Sequence, residues 1–135
     1  MRINNTAENI GLIAEAKNAM QNSYSPYSKF KVGAALLSDS GEIFKGCNIE
    51  NASYGATICA ERTAVFNAVS QGVTHFSKLA IVSVNGEPTF PCGICRQVLC
   101  EFMDKSALIL IEQGDEVAEY TLEELLPYSF TGEML

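Results

Sequence analysis

The chain has no tryptophan, one histidine, four prolines, and nine lysines and arginines against sixteen acidic residues in 135 positions. Each shortage excludes something. With a net charge of −7 and no basic stripe, a phosphate backbone is a poor partner, because nucleic-acid binding draws on clustered Lys and Arg. No nucleic-acid partner is expected. No apolar run approaches the roughly 18 residues of a membrane span, and the opening MRINNTAENIGLIAEA carries no secretory h-region. No membrane partner is expected either, and the chain reads as cytoplasmic. The lone His75 sits in a polar stretch beyond Gly72 and reads as a surface residue. No repeat, linker or low-complexity tract interrupts the sequence. At this length, with 47% hydrophobic residues, one domain over residues 1–135 with a real core is expected.

Cysteine, by contrast, is present at five positions: 47, 59, 92, 95 and 100. An odd number without a secretory signal favours metal binding, catalysis or plain thiols over a disulfide framework. Cys47 and Cys100 read as buried thiols, since free cysteine is among the most buried residue types.

Periodicity predicts a helix over 6–22, with Ile10, Ile13, Ala14 and Ala16 or Met20 on its apolar face and Asn5 or Thr6 as its cap. Pro26 excludes helix at Ser25. KFKVGAALL then reads as a strand covered on both faces, SDSGE as a hairpin turn and IFKGCNI as its partner strand. A helix over 59–71 ends before Gly72. Strands follow at 78–84, 107–112 and in EVAEYTL, the last at a sheet edge. A helix over 92–103 precedes the second of these, and LEELLPYSF gives a short helix stopped by Pro127. The order α-β-β-α-β-α-β-β-α predicts an α/β fold: a three-layer α/β/α sandwich around a mixed five-stranded sheet.

The chemistry gathers at two predicted helix starts. ATICAERTAVFNAV carries Cys59 and Glu61, and FPCGICRQVLC carries Cys92 and Cys95 at i and i+3. A helix N-terminus favours thiolates through its partial positive charge. Three thiolates with no visible fourth protein ligand suit a catalytic zinc, whereas a structural zinc takes four. Glu61 is then free for acid–base work. Arg62 and Arg96 each have two readings: a hydrogen bond to a ligand sulfur that offsets charge, or an exposed ion pair. In CNIENASYG, Asn48, Glu50 and Asn51 crowd a strand end. Turn chemistry accounts for Asn51 and stays open for Asn48 and Glu50, although an amide and a carboxylate, if buried, would suit a polyhydroxyl ligand. Phe30 reads as core, and Tyr54 and Phe130 as packing aromatics.

Together SPYSKFKVGAAL, GCNIENASYG, CAERTA, PCGICRQ and EELLP resemble, in order and over nearly the whole chain, the cytidine/deoxycytidylate deaminase family. The likeness is to its small homotetrameric zinc-dependent branch. That family's signature is H-x-E … P-C-x-x-C; Cys59 stands where many members have histidine and fits its three-cysteine variant. The resemblance implies one Zn²⁺ per subunit on Cys59, Cys92 and Cys95, with Glu61 as the catalytic acid and base. It implies hydrolytic deamination of cytidine and 2′-deoxycytidine to uridine and 2′-deoxyuridine, with release of ammonia, in pyrimidine salvage. It further implies ribose contacts from Asn48, Ile49 and Glu50, a pyrimidine contact from Phe30, and substrate contact at Ala60. Tyr54 and Phe130 would reach a neighbouring subunit's site in a homotetramer. Three alternatives stay open: a thiol oxidoreductase using Cys92 and Cys95, a module with structural zinc, and a deaminase of another amino-substituted base or nucleoside.

Overall fold

Alternation in residues 32–37 decides which helix lies on which face of the sheet. Val32, Ala34 and Leu36 pack with Ala60, Ala64, Val65 and Ala68, whereas Ala35 packs with Leu12, Ile13 and Ala16. The computed structural model describes residues 1–135. Its strands are β1 (Arg2–Ile3), β2 (Val32–Ser38), β3 (Ile43–Cys47), β4 (Phe76–Ser83), β5 (Met103–Gln113) and β6 (Glu116–Thr121). They form one sheet in the order β1-β6-β5-β4-β2-β3, in which β4 and β5 alone run parallel. Helix α1 (Ala7–Met20) covers one face. Helices α2 (Ala60–Ser70), α3 (Gly93–Phe102) and α4 (Leu122–Leu125) cover the other. Leu36, Leu79, Ile81, Ile109 and Ile111 are fully buried between the sheet and the second layer. Each such side chain stabilises the fold by about 1.5–3 kcal/mol. No helix is long and apolar enough to cross a membrane.

The three layers are those expected, with local differences. The sheet has six strands rather than five, because two residues of β1 pair with β6 at Arg2↔Glu119 and Ile3↔Ala118. That pairing also means β6 is not a bare edge. Helix α1 starts one residue late, capped by Thr6, whose side chain accepts from Asn9 N. Its buried stripe is Asn9, Leu12, Ile13, Ala16 and Ala19, while Ile10 and Ala14 face outward. Asn9 occupies an apolar position because its amide is satisfied. Nδ2 donates to Asn4 O at 3.0 Å and to Glu119 at 2.8 Å, and Oδ1 accepts from Lys78 Nζ at 2.8 Å. A buried polar group so paired escapes the desolvation penalty.

Two glycines set the height of the helices above the sheet. A Cβ on Gly33 would lie 2.1 Å from Ala16 O, and one on Gly46 would lie 2.4 Å from Ala64 N and 2.6 Å from Ala60 O. All three atoms are backbone, which cannot swing aside. Helix α2 therefore starts directly on β3, and Gly46 fixes where residues 59–61 stand. Gly46→Val is expected to lower the unfolding temperature, by the 1–3 kcal/mol or so of an overpacked core, and to lower bound metal with it. Thermal unfolding alongside metal analysis checks this; a variant with unchanged Tm and metal would refute the contact.

Candidate active site

Cys59 and Cys92 are the N-cap residues of α2 and α3, each with extended backbone and no side-chain cap hydrogen bond. Their sulfurs are thus left for another partner at two positive helix ends. Cys95, in the first turn of α3, is buried. The three sulfurs lie within 4.8 Å of one another, with Cys59 and Cys92 at 3.8 Å. A tetrahedral zinc with bonds of about 2.3 Å holds two sulfurs about 3.8 Å apart, so the cluster fits that ion. No fourth His, Cys, Asp or Glu joins it.

Charge behaves as a cation site requires. The Cys59 thiol is brought down to about 5, first by the Cys95 thiol and then by Arg62 and Cys92, against the effect of burial. The Cys95 thiol is pushed up, chiefly by the Cys59 sulfur and then by burial. One sulfur ionises early and the next holds its proton, because the Cys95 thiol hydrogen-bonds the Cys59 thiolate and is itself buried. Glu61 is 4% exposed, and its carboxyl is raised to about 7, first by burial and then by the Cys59 charge. A carboxyl tuned near neutrality can both take and return a proton. Arg62 Nη2 lies 3.6 Å from Cys59 Sγ. Arg96 behaves differently from either reading of it: its guanidinium binds two backbone carbonyls and no sulfur.

A pocket of about 260 Å³ opens over the cluster. Phe30, Asn48, Glu50, Cys59, Ala60, Glu61 and Cys92 all line it. The segment carrying Asn48 and Glu50 is brought there by backbone pairing of Ile49 with Ile58, one residue before Cys59, at 3.0 Å in both directions. Ile49 itself contributes that bridge; its side chain lies outside the pocket lining. Asn48 is largely engaged already. Its Oδ1 accepts from Val32 N at 2.9 Å and Ser23 Oγ at 2.5 Å, and its Nδ2 donates to Phe30 O at 2.8 Å, leaving one N–H free. Those bonds hold Phe30 just ahead of β2. Glu50 is half-buried rather than buried. Its carboxylate accepts from the Ser28 hydroxyl and from the Tyr27 and Ser28 N–H groups at 3.0 and 3.1 Å. These bonds, Ser28 Oγ first, hold it below the usual carboxylate range. Tyr54 and Phe130 do not reach this pocket within one chain. Tyr54 lies in an adjoining hollow against Tyr27, with ring centroids 6.3 Å apart. Phe130 lies in a separate groove, its carbonyl bound by Gln97 Nε2 at 2.9 Å. His75 is exposed, and Cys47 and Cys100 are half-buried rather than buried.

Residues 7–111 match the cytidine and deoxycytidylate deaminase zinc-binding region. The chain belongs to the cytidine and deoxycytidylate deaminase family. A cytidine deaminase of Sporosarcina psychrophila is 52% identical over 126 residues, covering 92% of each chain. One from Halalkalibacterium halodurans is 48% identical over 124 residues, covering 90% of this chain and 93% of that one. The crystal structure of cytidine deaminase from Burkholderia pseudomallei superimposes with a TM-score of 0.85 at 42% identity, covering 93% of this chain and 99% of that one. As a member of a zinc-binding family the chain is a hydrolytic deaminase, and the cluster of Cys59, Cys92 and Cys95 fits a zinc site. The thiol-oxidoreductase alternative gives Cys59 no role, and the structural-zinc alternative lacks its fourth ligand. Sequence reasoning missed Ser28, Thr57, Ile58, Thr89 and Phe90, which also line the pocket. Phe90, two residues before Cys92, was within reach of a proximity argument; Ser28 had no signal until Glu50 was seen to bind it.

Proposed function

We propose that this enzyme deaminates free cytidine and 2′-deoxycytidine, giving uridine and 2′-deoxyuridine with release of ammonia, as a step of pyrimidine salvage in the cytoplasm. The observation that carries the reading is one pocket lined by Cys59, Cys92, the buried Glu61 and the polar pair Asn48 and Glu50, with the buried sulfur of Cys95 clustered on the two cysteines. Cys59, Cys92 and Cys95 would hold the zinc, which would supply Lewis acidity that lowers the pKa of water towards neutrality. Glu61 takes the proton from the attacking water and delivers it to N3 as oxygen bonds to C4. It then moves the remaining hydroxyl proton to the amino group, so that the C4–N bond breaks and ammonia leaves. Atoms balance as cytidine plus water to uridine plus ammonia.

Phe30 packs against the pyrimidine, beside Ala60. The Glu50 carboxylate accepts from sugar hydroxyls; its bonds to Tyr27 and Ser28 hold it oriented and ionised before the sugar arrives. The remaining Asn48 N–H donates to the sugar. Ile49 serves through its backbone bridge. The exposure of Tyr54 (77%) and Phe130 (55%) supports a role across subunits of a homotetramer, with residues 1–135 as a single catalytic unit.

The test is purified protein with cytidine, followed by loss of ultraviolet absorbance, with and without metal. Turnover that a chelator abolishes and zinc restores is expected, and Glu50→Gln should raise KM more than it lowers kcat. A zinc-loaded protein inert towards both nucleosides would overturn the reading. Turnover confined to another amino-substituted base or nucleoside would overturn the substrate assignment.

A further inference from the structure

Arg96 follows the buried ligand Cys95 in sequence, yet its side chain turns away from the sulfurs. Nε donates to Pro91 O at 2.8 Å, and Nη1 donates to Leu125 O at 2.6 Å. Its own backbone N–H donates to Cys92 O at 2.9 Å. Pro91 is fully buried and stands immediately before Cys92. As a proline it has no N–H with which to tie its segment down. Cys92 is the exposed member of the sulfur cluster. Cys59 has local support, with Thr63 N and Oγ1 on its carbonyl at 3.1 and 3.2 Å and Arg62 at its sulfur. Cys92 has Arg96.

We propose that Arg96 is the positioning residue of the metal centre. Its guanidinium ties Pro91, the residue immediately before Cys92, to the last residue of α4; its N–H on Cys92 O is the ordinary first bond of α3, which any residue but proline makes there. A planar guanidinium reaches two carbonyls in one fixed geometry, which a lysine ammonium on a flexible stem does not reproduce. The bonds are charge-assisted and therefore strong. The proposal rests on the reading of Cys92 as a zinc ligand.

The test uses zinc-loaded full-length protein and measures the rate of zinc transfer to a chromogenic chelator. Arg96→Gln should release zinc about 10–100-fold faster, the scale of losses when a partner behind a ligand is removed. Arg96→Lys should fall between. In both, KM for cytidine should hold while kcat falls with zinc content and recovers on adding zinc. Leu122→Ala, which removes a buried α4 side chain but leaves the Arg96–Pro91 bond, serves as the stability control. A release rate unchanged in Arg96→Gln, or equally accelerated in Leu122→Ala, overturns the proposal. Should Arg96→Gln not fold, a wild-type release rate in Arg96→Lys does the same. Cys92→Ala separates this from the underlying reading. Stoichiometric zinc in that variant removes the ligand assignment and the proposal with it. Zinc loss there, with unchanged release from Arg96→Gln, removes the proposal alone.

Discussion

Glu61→Ala is expected to keep one zinc per chain and to lower kcat by about 10²–10⁴-fold, the range for a positioned general acid–base. The two halves of this result have separate causes. Glu61 lies in the first turn of α2, outside the group of three sulfurs, so its loss leaves the ligands and their helix ends in place. What disappears is a carboxyl held near neutrality by burial, and with it the route by which one proton reaches the ring and another reaches the amino group. Glu61→Gln should fall almost as far, since an amide of the same shape cannot ionise. Metal analysis and steady-state kinetics on the same samples check both halves. Near-normal turnover would remove Glu61 from the reaction, and zinc loss would move it into the metal site.

Cys95→Ala is expected to abolish activity and to release the metal. Cys95 is fully buried in the first turn of α3, so no water or neighbouring side chain can take its place without opening the second layer. Two remaining sulfurs on two different helix ends then hold the ion too loosely for a three-ligand catalytic site. The stabilisation that a tightly bound ion lends the fold goes too, about 4 kcal/mol where free zinc exceeds its dissociation constant a thousandfold. The wild-type chain should therefore unfold at higher temperature with zinc than without, while Cys95→Ala should show no such difference. Cys100→Ala is the comparison, because that half-buried thiol packs beside the core and lies outside the sulfur cluster. Equal zinc content in Cys95→Ala and wild type would refute the ligand assignment.

Much of this architecture is legible in the sequence. Period-two alternation in VGAALL and period-3.6 patterning after Cys59 and Cys92 report how much of each element is buried, so the layers and both helix starts could be read. What was not legible depends on contacts between distant residues. The two-residue β1 has no periodicity to detect and exists because β6 offers it an edge. Ile10 looked like core and Asn9 did not, because the bonds that make Asn9 tolerable come from residues 4, 78 and 119. Asn48 read as a sugar ligand, but most of its amide holds the backbone at Phe30 and Val32. For Arg96 the sequence leaves two readings open, a bond to sulfur or an exposed ion pair, and neither holds: its partners are carbonyls five residues before it and 29 residues after it.

The direct seating of α1 on Gly33 and of α2 on Gly46 bears on how this scaffold tolerates change. Where two layers are separated by side chains, every size change in those side chains alters the spacing. Here main chain rests on main chain at two points, so a size change in the pocket lining away from them does not reach the seating of α2. Variation at Phe30, Thr89 and Phe90 can therefore reshape the space offered to a substrate without shifting the sulfurs. A library for new substrates should leave residues 33 and 46 untouched and spend its diversity on those three.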